Sequence, residues 1–153
     1  MTEEQNVEQV FAITAQYIKD LSFENINPIS QVVATNPKDQ PNIDVQLKVT
    51  KDLGKEKDSY DVTLTTKVEA KVQDKVLFIL ELVYAGEFTI KGFDEKFMDP
   101  LLYVECPRML FPFARSIISS ITSEGGFPPL YLAPVNFADL YQQQVEAQNH
   151  TKQ

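Results

Sequence analysis

The side chains that carry chemistry in most enzymes are scarce here. The single histidine, His150, stands among polar residues near the end of the 153-residue sequence, an untethered place for a catalytic base. Cys106 lies between Glu105 and Pro107 with no histidine to activate it, and reads as a small buried apolar residue. No Cys/His pair has the spacing of a metal site. Neither phosphate-cradling glycine motif, GxxxxGK or GxGxxG, occurs, and only five glycines are available to build one. The 22 aspartates and glutamates let many carboxylate pairs be imagined, but with no partner motif none specifies acid–base work. Asn149-His150-Thr151 matches a glycosylation acceptor, a chance match in a polar tail. The expectation is a protein that is not an enzyme and has no cofactor and no metal.

One carboxylate spacing points to binding instead. Asp20 and Glu24 are four apart in a strand-like pattern, so they project from one face roughly 13 Å apart at about 3.3 Å per residue. With Ser22 between them they form an acidic ladder able to receive a basic partner, or a solubilising surface. Composition agrees with a binding protein of ordinary make-up: 43% apolar and 24% charged residues in a length that suits one domain. The charge is −8, which disfavours nucleic acid and anionic lipid as partners. One cysteine excludes an intrachain disulfide. The opening MTEEQNVEQ lacks the basic and apolar regions of a secretory signal. No apolar run approaches the ~18 residues that cross a bilayer, so a cytoplasmic location is expected.

The elements that must position these residues are strands first and helices after. From Val7 to Phe23 the odd positions are mostly apolar and the even positions Asp20, Ser22 and Glu24 polar, a long half-buried strand that a bulge or bend should interrupt. The stretch 25–41, with Pro28, Pro37 and Pro41, reads as a loop. Ile43, Val45, Leu47 and Val49 alternate with polar residues in a second strand, and 51–59 forms a charged hairpin connection around Gly54. Val62 to Val72 alternates as a third strand. Gln73-Asp74-Lys75 turns the chain into a fourth, Val76 to about Ile90, which is apolar on both faces and so is either covered twice or half exposed at an interface. The short connections imply antiparallel pairing.

Past Gly92 the period changes. Asp94 to Asp99 allows a helical turn or two before Pro100 interrupts. Leu110, Phe113, Ala114, Ile117, Ile118 and Ile121 form a helix stripe, with Pro107 and Pro112 tolerated near its start and Gly125-Gly126 closing it. Phe127 to Pro134 is an extended, proline-rich connector. Asn136 caps a last helix carrying Phe137, Leu140, Tyr141 and Val145, with Asp139 three residues on. The predicted fold is an α+β domain over residues 1–141, a four-stranded antiparallel sheet followed by a long helix and a short C-terminal helix. Residues 142–153 are expected to be the end of that helix and a flexible polar tail. The far side of the long helix collects Ser116, Ser119, Ser120, Thr122 and Ser123, small residues that let a second helix approach closely, and twofold assembly follows naturally from such a face.

Two segments carry a family resemblance. Cys106-Pro-Arg-Met-Leu-Phe-Pro-Phe-Ala-Arg115 followed by Gly126-Phe-Pro-Pro-Leu-Tyr-Leu-Ala-Pro-Val-Asn-Phe137 is similar to the signature of the bacterial protein-export chaperone family SecB. The segments Tyr17–Glu24 and Phe78–Phe88 resemble that family's first and fourth strands. The resemblance implies an ATP-independent holdase that keeps unfolded precursor proteins competent for translocation and delivers them to the motor ATPase SecA. It implies a homotetramer, a dimer of dimers, with the long helix at the dimer–dimer interface, where Ser116, Ser119, Ser120 and Ser123 would sit. It carries over as receivers of the basic, zinc-bearing SecA tail Asp20, Glu24 and Glu81, with Ile79 where a leucine is usual. The polar tail Gln142–Gln153 lacks the acidic character of some relatives. Phe88, Phe111, Phe137, Leu140 and Tyr141 are the expected lining of a client groove. Two rival readings remain, a small-ligand-binding α+β domain and a SecB-like chaperone dedicated to a toxin–antitoxin client.

Overall fold

Alternating apolar and polar residues over four long segments produce four strands, β1 (Val10–Asn25), β2 (Asn42–Leu53), β3 (Ser59–Val72) and β4 (Lys75–Lys91). The structure, a computed structural model, describes residues 8–33 and 40–151. Val7, Pro37 and the side chain of His150, each part of the expectations above, lie outside the described residues. All strand pairs are antiparallel, in the order β1-β4-β3-β2. The two-residue turn Gln73-Asp74, with Gln73 at φ 54°, joins β3 to β4. A five-residue helix, α1 (Ile29–Val33), follows β1.

One face of the sheet is the core. Leu80, Leu82, Phe88 and Ile90 of β4 and Leu64 and Val68 of β3 are buried against the helical layer, each side chain contributing about 1.5–3 kcal/mol by leaving water. Gly86 lies on this face, where an added methyl would stand 2.8 Å from Leu110 Cδ2, so the helix approaches the sheet closely there. The other face of β4 stays half open, with Ile79 and Val83 half-buried and Glu81 and Glu87 exposed.

β1 departs from simple alternation in an informative way. It pairs with β4 through two bulges, one between Ile13 and Ala15 and one between Ile18 and Asp20. Each extra residue reverses which side of the strand faces the core. Phe11 and Ile13 therefore pair with the inward Ile90 and Phe88, and Leu21 and Phe23 with the inward Leu82 and Leu80. Between the bulges the order inverts. Tyr17 pairs with Ala85 on the outer face and is 43% exposed, and Ile18, opposite Tyr84, joins the inner side. The expected single odd-numbered face is thus correct at both ends and wrong in the middle.

The helical part is continuous where the sequence suggests an interruption. A 3-10 turn (Glu95–Phe97) leads into α2 (Met98–Pro100), a π-helical turn (Leu101–Glu105) and α3 (Cys106–Glu124) without a break. Pro100 does not interrupt this run, and holds φ −58° and ψ −37°, within the helical range its ring allows. In the π turn the Cys106 N–H bonds the Leu101 carbonyl. Pro112 is consequently inside α3 rather than near its start, on an exposed side where water can satisfy the carbonyl left without a donor. The predicted stripe holds for Leu110, Ala114 and Ile118, which are fully buried, but Phe113 stacks on Tyr84 at 6.1 Å and remains 45% exposed.

α3 ends in a Schellman arrangement. Phe127 N–H bonds the Thr122 carbonyl at 3.0 Å, Gly126 N–H bonds the Ser123 carbonyl at 3.1 Å, and Gly126 sits at φ 92°. The connector then doubles back along α3. The Thr122 hydroxyl accepts from Leu130 N–H at 2.9 Å, and Arg115 Nε donates to the Leu132 carbonyl at 2.9 Å while its guanidinium covers the Tyr131 ring at 5.4 Å. Asn136 caps α4 (Phe137–Thr151) through Asp139 N–H at 3.2 Å. α4 continues through Thr151, so the end of the last helix expected within 142–153 extends over Gln142–Thr151. Tyr141 stacks on Tyr103 at 5.0 Å and donates to Asp99, which also pairs with Lys51 at 3.3 Å.

Candidate functional site

Two surfaces on opposite sides of the sheet gather the residues of interest. On the outer face, strand register sets the arrangement, since directly opposed residues of antiparallel strands share a face with their Cβ atoms about 4.5–5.5 Å apart. Glu24 stands opposite Ile79, Ser22 opposite Glu81, and Asp20 opposite Val83. Glu81 is therefore flanked by Asp20 and Glu24 across one strand spacing, and all three carboxylates are exposed. The bulge before Asp20 is what aligns them. Without its extra residue Asp20, Ser22 and Glu24 would face the core and Leu21 and Phe23 would face water. The four residues singled out for a basic partner thus form one patch. Ile79 provides a half-buried apolar centre with the carboxylates around it, an arrangement suited to a segment that is basic and partly apolar.

The inner face carries an apolar groove of about 340 Å³ at the end of the sheet where α1, β2 and the connector meet. Ala70, Leu77 and Phe78 come from β3 and β4, and Ile43 from β2. Phe127, Pro128, Pro129 and Leu130 of the connector form the facing wall. The groove exists because the helical layer stops short of the first half of β2. Ile43 and Val45 are each 37% exposed, whereas Val49 further along is buried. An aromatic trio supports the wall, with Phe127 centred 4.8 Å from Phe78 and 6.3 Å from Phe23.

This groove is not the one anticipated. Phe88 and Phe137 are 0% and 2% exposed and belong to the core. Phe111 packs edge-on against Phe137 at 5.8 Å, and Leu140 and Tyr141 are half-buried against the same core. None of the five lines the groove. A helix stripe marks apolar residues, but their burial depends on how far neighbouring elements extend, and here the helices cover these five and leave Ile43 open. The sequence signal that could have found the groove is the Phe-Pro-Pro-Leu run itself, an apolar segment barred from a ladder by its prolines.

The serine face of α3 is also open in part. Ser116, Ser120 and Ser123 are exposed and Ser119, half-buried, donates to the Ser116 carbonyl at 2.9 Å. Thr122, grouped with them by sequence, is fully buried and holds the connector. Cys106 is fully buried, and burial, with Glu105 beside it, pushes its thiol up to about 12, so no thiolate nucleophile exists near neutral pH. Among the described residues no group of three or more His, Cys, Asp or Glu side chains could hold a metal ion, and no helix is long and apolar enough to cross a membrane.

Comparison with known proteins identifies the family. Residues 4–148 match the family model described as preprotein translocase subunit SecB. The chain is similar to the protein-export protein SecB of Bartonella quintana, 43% identical over 148 residues that cover 95% of this chain and 90% of the relative. It is likewise similar to the protein-export protein SecB of Agrobacterium fabrum, 46% identical over 133 residues covering 87% and 81% of the two chains. Among solved structures, a SecB-like chaperone of Mycobacterium tuberculosis, in complex with a peptide from an antitoxin, superposes with a TM-score of 0.68 over 82% of this chain and 90% of that one, at 14% identity.

Proposed function

The chain belongs to the SecB family of protein-export chaperones, which are not enzymes, and we propose that it is a cytoplasmic, ATP-independent holdase that passes unfolded precursor proteins to the motor ATPase SecA. The observation that carries the reading is the separation of two surfaces by one sheet, an apolar groove on the inner face and the Asp20–Glu24–Glu81 patch on the outer face. A holdase that must deliver its cargo needs both at once. The groove buries apolar segments of a client, and the acidic patch remains free for the basic tail of the motor. Ile43, Phe78, Phe127 and Leu130 hold the client in this reading, in place of the five aromatic and aliphatic residues expected from sequence.

A homotetramer built as a dimer of dimers fits two unpartnered features. Among the described residues nothing pairs with the outer edge of β1, 16 residues long, and solitary domains rarely leave such an edge uncovered. Nearby, Ile18, Met109 and Phe113 are 46%, 38% and 45% exposed. The open serines of α3 offer a second surface for close helix packing.

Two experiments test the function. The chain contains no tryptophan, so the fluorescence of a slow-folding, Trp-containing precursor reports on the client alone. Equimolar protein should stall its refolding without nucleotide, and unimpeded refolding of several such clients would refute the holdase role. Glu81→Lys should abolish SecA binding and spare client binding; unchanged SecA affinity would refute the acidic site and leave a chaperone dedicated to another task.

A further inference from the structure

The acidic patch contains a cation that the chain supplies itself. Lys67 of β3 is the direct cross-strand partner of Glu81, on the same outer face, and both side chains are exposed. At that register their Cβ atoms are about 5 Å apart, and the Lys67 ammonium reaches Glu81 as readily as any residue of a docking partner. The neighbouring acid on β3 does not occupy Lys67. Glu69 pairs with Lys71 at 3.3 Å, and Lys67 forms no ion pair among the described residues. The next cation on this face, Lys48, stands opposite Thr65 on the far strand β2, about 10 Å or more from Glu81 at the ~4.8 Å spacing of neighbouring strands.

We propose that Lys67 is a built-in competitor for the basic partner, setting the affinity and the release rate of the outer-face site by sharing Glu81. The inference rests on the reading of that face as the SecA site and goes beyond it in naming a residue that weakens the contact. With three carboxylates and one ammonium the patch has a charge of −2 rather than −3. An incoming lysine or arginine meets a like charge one strand spacing from Glu81, and Lys67 can swing to that carboxylate in its place. A transfer protein has a use for this. A site that must bind its motor and then let go needs a moderate affinity, and affinity within one interface is tuned mostly through the off-rate.

The test titrates the zinc-loaded C-terminal segment of SecA into wild type and variants at low and high salt. Lys67→Thr, which keeps a residue suited to a strand, should tighten binding about fivefold at low ionic strength, the effect of one unit charge a few ångströms away in water-like surroundings. Most of that gain should vanish in molar salt. Lys48→Thr makes the same change in net charge at a distance and should alter affinity less than twofold. Equal effects of the two substitutions would overturn the proposal, since net charge alone would then account for them, and so would unchanged or weaker binding by Lys67→Thr. Glu81→Lys separates the two levels. If it abolishes binding while Lys67→Thr does nothing, only the competitor role fails; if it leaves binding intact, the site and its competitor fail together.

Discussion

The carboxamide of Gln144 closes on both backbone groups of Val49, its Oε1 accepting from the Val49 N–H at 3.1 Å and its Nε2 donating to the Val49 carbonyl at 3.3 Å. One side chain of α4 thereby does for the β2 edge what a neighbouring strand would do, presenting a donor and an acceptor at peptide spacing. Gln144→Ala should leave both groups to water and loosen the second half of α4. The expected cost is about 1 kcal/mol, and the Val49 amide should exchange its hydrogen several-fold faster. Unchanged exchange at Val49 would mean that the contact contributes nothing to edge protection.

Thr66 is the opposite case. Its hydroxyl is fully buried in the inner face between Leu47 and Leu82 and has no hydrogen-bond partner among the described residues. Thr66→Val keeps the shape and removes the unmet polar atom, so stability should rise by about 1 kcal/mol. Urea unfolding checks this, and a lower midpoint would show that the hydroxyl is satisfied in solution.

Ile43 offers the least disruptive probe of the groove because it is 37% exposed already. Ile43→Asp should weaken capture of an unfolded client by about tenfold, by placing a charge where apolar segments are buried, while SecA affinity stays as in wild type. A variant that holds clients normally would remove Ile43 from the client surface.

Cys106 gives a pH dependence of known sign. The folded thiol keeps its proton up to about 12, against 9.0 for the ordinary group, chiefly because it is buried and further because Glu105 is near. Above pH 9 the unfolded chain therefore releases a proton that the native chain retains, and stability falls as pH rises. Burial raises Tyr84 as well, and burial together with Asp99 raises Tyr141, so both add to the same slope. Cys106→Ala should flatten the decline in unfolding free energy between pH 8 and 10 without removing it. An identical slope in the variant would assign the whole effect to the tyrosines. Alkylation of Cys106 should be slow in the native protein and fast in denaturant.

Much of this architecture is legible from residue order, and the failures have local causes. β2 and β3 follow from alternation because their mutual pairing keeps one register throughout, and the Asn136 cap and the Gly125-Gly126 stop are short-range chemistry. β1 misleads in the middle because a bulge adds a residue without changing residue types, so Tyr17 reads like Phe11 and Phe23 although it faces the other way. The acidic patch was readable only as a set of residues. That Asp20 and Glu24 flank Glu81 depends on pairing across 57–61 positions of chain, which no local pattern contains. Which apolar residues stay open was not legible for a related reason. Apolar residues are easy to find, but what covers each is a tertiary fact, and here Phe88 is sealed while Ile43 is not. Gln144 and Arg115 carried no signal, being polar residues on helices whose bonds go to distant backbone.

The wall of the groove has a consequence for how cargo lies in it. Pro128 and Pro129 present no N–H, and Thr122 and Arg115 already hold the backbone at Leu130 and Leu132. A wall with so few free donors and acceptors cannot impose a ladder on whatever rests against it. In the proposed holdase the connector therefore grips a bound segment by its side chains, and any backbone pairing falls to the β2 edge beside Ile43.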